Sequence, residues 1–257
     1  LLSSRHEYLL VLAISLLTLS AFNVFGADKD TLPKTIPSQN DASGYRNPLD
    51  LEKKIKELID SNVLGNLYYY DSTRIILGLF QHDVNIIWDL APHDLSIMDF
   101  VLKEKPVAIS AIGVSHFNKK LEDTAYIVAH FNNNMIAHFN INWLSPVKVR
   151  TTLIGGEKKM LVWNDLETDE KIKIYDKGVK VKSIEGIYSL LVEYRSGDMR
   201  SPHISHVEAL KLETGYFIKC ILNNETPIND GHSGLRIVKM LEAADKSLKA
   251  AGRRVKL

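Results

Sequence analysis

The stretch Thr124-Ala-Tyr-Ile-Val-Ala-His-Phe-Asn-Asn-Asn-Met-Ile-Ala-His-Phe-Asn-Ile-Asn-Trp143 holds two runs of alternating character separated by three asparagines. Side chains on a strand alternate between faces, so Ala137, Phe139, Ile141 and Trp143 belong to one side and Ile136, His138, Asn140 and Asn142 to the other. Asn132-Asn-Asn134 is turn chemistry, which makes Thr124–Phe131 and Met135–Trp143 an antiparallel hairpin with one apolar and one largely polar face.

Further strand-like runs lie on either side: Leu67–Ser72, Val107–Ser115, Val147–Ile154 and Lys159–Trp163. Helical periodicity marks Leu51–Ser61, through Leu51, Ile55, Leu58 and Ile59, and returns in Glu208–Asn223 and Ser233–Ala251. The expected class is α+β, a mostly antiparallel sheet with an open face and helices packed on the other.

Between the first two strands stands Asn85-Ile-Ile-Trp-Asp-Leu-Ala-Pro-His-Asp-Leu-Ser-Ile-Met-Asp-Phe100. Leu95, Ile97, Met98 and Val101 are helically spaced. Proline is best tolerated in a first helical turn, so Pro92 predicts a helix that begins close to Asp89. An Asp at such a start accepts backbone N–H groups, and the positive helix end disfavours a charged His93 in the same turn. A neutral imidazole beside a fixed carboxylate is a proton acceptor. Read from the residues alone, the spacing favours Asp89 as only a helix cap and His93 as a hydrogen-bonded, half-buried histidine.

This segment, with KIKELIDSNVLGNLYYYDSTR, NWLSPVKVRTTLIGG and TPINDGHSGLRIVKMLEAADKSL, resembles the C-terminal portion of the glucose-fructose oxidoreductase/inositol dehydrogenase/rhizopine-catabolism (Gfo/Idh/MocA) family over Lys53–Leu257. Within that family it is most similar to sugar-nucleotide 3-dehydrogenases acting on UDP-N-acetylglucosamine-type substrates. The resemblance implies oxidation of a sugar hydroxyl by hydride transfer to NAD or NADP. By position it makes His93 the catalytic acid/base and Asp89 its partner. Arg74, in Asp71-Ser-Thr-Arg74, is implied as a contact to a sugar carboxylate or diphosphate, with a surface ion pair as the other reading. Asn85 is either a donor to a sugar hydroxyl or a cap. Homo-oligomerisation through the open sheet face is implied too, as is a cytoplasmic location.

The family's dinucleotide loop, G-x-G-x-x-G, does not occur in these 257 residues. Gly155-Gly156 lacks its spacing and a following helix. Glu104-Lys105-Pro106 repeats the letters of the family's lysine motif, but it joins a helix to a strand within the resembling stretch. The expected assignment is therefore the substrate-binding half of such a dehydrogenase, inactive alone. Two alternatives stand beside it: an exported, non-catalytic sugar-binding module, and a truncated gene remnant.

Residues 1–27 carry an uncharged run from Tyr8 to Ala27 after Arg5, the pattern of a signal peptide, and 28–50 read as a linker rich in Asp, Lys, Pro, Ser and Asn. An exported domain and a fragment of a longer protein are both compatible with this start, and a core helix is a third reading. A membrane contact is expected only if the apolar run anchors the chain. A net charge of +1 with interspersed signs points away from nucleic acid. Cys220 is the only cysteine, which excludes an intrachain disulfide. His203-Ile-Ser-His206 has metal-like spacing but no acidic neighbour, and metal is not expected. Arg195–Pro202 reads as a mobile loop, and the basic tail Arg253–Lys256 as a solvated end.

Overall fold

The computed structural model describes residues 48–78, 81, 83–117, 121–182, 191–204 and 209–257. The signal-like segment, most of the linker and His206 lie outside them. Chain contacts divide the described residues into two compact units. Those up to Lys53 with Ile204–Lys239 form one, and Lys54–His203 with Met240–Leu257 the other.

The larger unit is built on nine strands: β1 (Leu67–Leu77), β2 (Ala108–Val114), β3 (Thr124–His130), β4 (Ile136–Asn142), β5 (Leu144–Gly156), β6 (Met160–Asn164), β7 (Ile172–Lys182), β8 (Leu191–Arg200) and β9 (Val255–Lys256). They form a single sheet in the order β8-β7-β6-β5-β1-β4-β3-β2-β9. Only β1 and β4 run parallel; every other neighbouring pair is antiparallel. The described residues of the two units hold four helices: α1 (Pro48–Asp60), α2 (Ile86–Val101), α3 (Ala209–Asn223) and α4 (Gly231–Lys249). The α+β class expected from the sequence is the one observed.

The β3–β4 hairpin pairs Ile127 with Phe139 and Ala129 with Ala137. Its alternation divides as expected: Ala137, Phe139, Ile141 and Trp143 are buried, and Ile136 is exposed. Burying each large member of that row contributes roughly 1.5–3 kcal/mol. The core lies on this side, where α2 packs against β1, β3 and β4.

The opposite face is less polar than the alternation suggested. Exposed Ile112, Val114, Tyr126, Ile136 and Leu153 share it with a polar pair, His138 Nδ1 against Asp71 Oδ2 at 3.0 Å. The Tyr126 ring is stacked parallel to His138, with centroids 5.9 Å apart.

Three sequence expectations need correction. Helix α2 starts at Ile86, with Asn85 as its cap, so Pro92 sits in the helix interior and not in the first turn. There it supplies no N–H to the carbonyl four residues back, at Trp88, and the cost is met by packing, since both residues are buried. The supposed loop at Arg195–Pro202 is largely strand β8, whose Arg195 Nε donates to Asp176 Oδ1 at 2.8 Å. The supposed solvated tail contains β9, which pairs with β2, and the Leu257 N–H donates to the Val107 carbonyl at 3.0 Å.

In the smaller unit, Lys53 Nζ lies 5.4 Å from the centroid of the Tyr216 ring, and the Tyr216 hydroxyl accepts the Ile228 N–H at 2.8 Å. Cys220 is buried within α3. Asp230 caps α4 by accepting the Ser233 N–H at 2.9 Å, and that bond is the first cause holding its carboxyl below the ordinary value. Among the described residues no helix is long and apolar enough to cross a membrane, and no group of three or more His, Cys, Asp or Glu side chains is placed to hold a metal.

Candidate functional site

The site grows from the start of α2. Asn85 is buried, and its side-chain oxygen accepts the Trp88 N–H at 3.2 Å. Its amide nitrogen donates to Glu122 Oε2 at 2.8 Å and to Asp245 Oδ1 at 3.3 Å. The Ile86 N–H reaches the Glu122 carbonyl at 2.9 Å. Asn85 is thus the cap that fixes where α2 enters, and its polar atoms are all spent on protein.

One turn on, Asp89 Oδ2 accepts the indole N–H of Trp143 at 2.9 Å. Trp143 follows β4, so the end of the central hairpin holds the carboxylate. Among the described residues no hydrogen bond joins Asp89 to His93. They share a helix face, and the carboxylate acts on the imidazole only as a weak charge that raises its pKa.

His93 is exposed, yet protein surrounds enough of its ring for desolvation to be the first cause lowering its pKa below 6.5. The guanidinium of Arg74 is the second and that of Arg150 adds to it, against the opposing carboxylates of Asp94 and Asp89. From the sequence, a charge on His93 is disfavoured by the helix end; here the lowering comes from burial and the arginines instead. His93 is the eighth residue of α2, beyond the first turn to which the dipole argument applies.

Arg74 projects from β1 into an ion pair with Asp94, the residue after His93. Its Nε donates to Asp94 Oδ2 at 2.5 Å and its Nη2 to Oδ1 at 3.3 Å. Ser72 Oγ donates to the same Oδ1 at 2.9 Å. Side-chain exposures are 14% for Arg74 and 5% for Asp94, so this is a largely buried, two-point pair and not the surface ion pair considered above. Arg74 keeps its Nη1 edge out of that pair.

The structure therefore brings Asp89, His93 and Arg74 to one region and leaves Asn85 in the cap beneath it. It adds Trp143, Asp94, Ser72 and Arg150, which no local pattern announces. Asp94 follows the motif directly, but its partner lies 20 residues earlier on another strand. Arg150 becomes visible only through the β1–β5 register, which sets it opposite Arg74.

Other sequence candidates have structural work. Lys105 Nζ donates to the carbonyls of Asp99 and Leu102, and pairs with Asp99 Oδ1 at 3.1 Å, closing the C-terminal end of α2. A Cβ on Gly155 would sit 2.2 Å from the Tyr69 ring, and one on Gly156 2.3 Å from the Leu64 carbonyl oxygen. These two glycines admit neighbouring protein atoms and leave no cradle for a pyrophosphate.

Residues 53–162 match the family model described as GFO/IDH/MocA C-terminal domain. No curated protein sequence matches the chain. Among solved structures, it is similar to UDP-N-acetylglucosamine 3-dehydrogenase GnnA from Acidithiobacillus ferrooxidans, at 21% identity and a TM-score of 0.56 over 76% of this chain and 61% of that one. It is also similar to aldose-aldose oxidoreductase from Caulobacter crescentus, at 16% identity and a TM-score of 0.63 over 82% of this chain and 61% of the other. A third is the WlbA dehydrogenase from Bordetella pertussis, solved with NADH and UDP-GlcNAcA, at 15% identity and a TM-score of 0.61 over 82% and 61%. The chain spans about three fifths of the length of these structures. Over residues 53–162, then, the chain is similar to the GFO/IDH/MocA C-terminal domain family.

Proposed function

We propose that this domain is the substrate-binding half of an NAD(P)-dependent sugar-nucleotide dehydrogenase. In this reading His93 takes the proton of the hydroxyl being oxidised, and Arg74 faces an anionic group of the substrate. The observation that carries it is the position of His93, exposed and set beside the Arg74–Asp94 pair and the Trp143-anchored Asp89.

A general base must be unprotonated at working pH, and a lowered pKa meets that condition at neutrality. Asp89, held by the indole, stabilises the imidazolium formed when the proton arrives, without itself taking it. In this reading the hydride acceptor is held by a separate dinucleotide-binding domain, and the close packing of Gly155 and Gly156 against Tyr69 and Leu64 supports it. The role of this domain is confined to orienting the sugar and accepting the proton. Alone it binds substrate and turns nothing over.

Two neighbours support the substrate class: one is named as a UDP-N-acetylglucosamine 3-dehydrogenase, and another was solved with UDP-GlcNAcA. The apolar residues on the open sheet face support self-association through that face. Calorimetric titration of the full chain with UDP-N-acetylglucosamine tests the reading. Binding that is lost in Arg74→Gln and retained in the exposed control Lys249→Gln is expected. Equal affinity of both variants with the parent chain would refute it.

A further inference from the structure

Across the β1–β5 ladder, Arg74 and Arg150 are directly opposite partners and so share one face of the sheet. Directly opposed side chains have Cβ atoms about 4.5–5.5 Å apart, and like charges placed so repel. A fold keeps such a pair when something else neutralises it. The two arginines differ sharply in how far protein does that.

Asp94 takes two nitrogens of Arg74. Among the described residues Arg150 has a single long side-chain contact, Nη1 to Asp165 Oδ2 at 3.5 Å. Asp165 is itself shared, because its other oxygen accepts Lys171 Nζ at 3.2 Å. Most of the Arg150 fork is uncommitted, and with 39% of its side chain exposed it is open to a ligand. The next row on this face runs Ser72, Thr152, Trp163, and the buried indole N–H of Trp163 has no acceptor among the described residues.

We propose that Arg150 and Arg74 form one anion seat beside His93, which holds a carboxylate or phosphate group of the substrate. This rests on the reading of the site as a sugar-nucleotide pocket and deepens it by naming the residue that grips the charge. Arg150 supplies an open planar fork and Arg74 its Nη1 edge, a geometry suited to two oxygens of one anion. Both guanidinium groups also act on His93. An anion in the seat cancels part of their charge, so substrate binding makes His93 more basic when the proton has to be taken.

The test is an NMR titration of His93 in the full chain, without ligand and with pyrophosphate, D-glucuronate or the neutral sugar N-acetylglucosamine. At least one of the two anions is expected to raise the His93 midpoint, and N-acetylglucosamine is expected to leave it in place. A response to pyrophosphate identifies the diphosphate as the group held, and one to glucuronate the sugar carboxylate. In Arg150→Gln the anion's half-saturation concentration should rise about 10- to 100-fold, as expected for loss of a charged hydrogen bond, and Arg150→Lys should recover part of it.

An unmoved His93 with both anions, or equal anion affinity in Arg150→Gln and the parent, would overturn the seat. UDP-N-acetylglucosamine separates this proposal from the reading beneath it. If it binds the parent chain and Arg150→Gln equally, and both simple anions do so too, the pocket stands and the seat falls. If the simple anions act through Arg150 while UDP-N-acetylglucosamine does not bind, the seat stands and the sugar-nucleotide reading falls.

Discussion

At the scale of single residues, His93 and Asp94 show how neighbours set their chemistry. Desolvation and then the Arg74 guanidinium lower the His93 pKa, so the unfolded chain binds more protons just below pH 6.5 than the folded one. The stability associated with neutral His93 is present above that value and is lost as pH falls through the folded pKa. We expect the His93 resonance to titrate below 6.5 and its midpoint to rise in Arg74→Gln; a midpoint at or above 6.5 in the parent chain would exclude this electrostatic account. Asp94 is a second test. Removing one member of a buried pair strands the other, so Asp94→Ala should lower stability by about 3–5 kcal/mol in urea unfolding. Substituting Arg74 by Leu in that background should recover much of the loss. A cost below about 1 kcal/mol would mean that the pair is effectively solvated.

At the scale of elements, the β3–β4 hairpin was legible because its alternation is local, and each buried position is an apolar letter. The start of α2 was misplaced because Pro92 carries a strong local signal that tertiary packing overrides: Ile86, Ile87 and Trp88 gain more by burial than the proline loses. Strands β7 and β8 were missed since their sequences, IKIYDKGVKVK and LVEYRSGDMR, are dense in charge, and β8 lies at the edge of the sheet, where charge is tolerated. The site was half legible. Asp89 and His93 form a spacing within one helix, whereas Arg150 depends on a register that no window of sequence contains. The Asn85 cap offers a sharp prediction at this scale. Asn and Asp cap helices about equally well in isolation. Here Asn85 donates to Glu122 and Asp245, so Asn85→Asp should destabilise more than Asn85→Ala, whose cap loss costs about 1 kcal/mol. The reverse order in thermal unfolding would show that capping alone matters.

For the molecule as a whole, the sheet has one face committed to α2 and the core and one that carries Ile112, Val114, Tyr126, Ile136 and Leu153 in the open. If that face joins two copies, sedimentation equilibrium should give a dimer or larger assembly, and Ile136→Lys should shift it toward monomer without changing the His93 titration. A parent chain that stays monomeric at high concentration would remove the open face from the account. The two faces thus divide the proposed labour: one assembles, the other holds sugar. The most direct test of that division is a two-dimensional NMR footprint of UDP-N-acetylglucosamine on the full chain. The account predicts shifts at His93, at the Trp143 indole N–H and at the Arg74 and Arg150 side chains, with the Tyr126–His138 surface unchanged. An absence of shifts, or shifts confined to the Tyr126–His138 face, would contradict it.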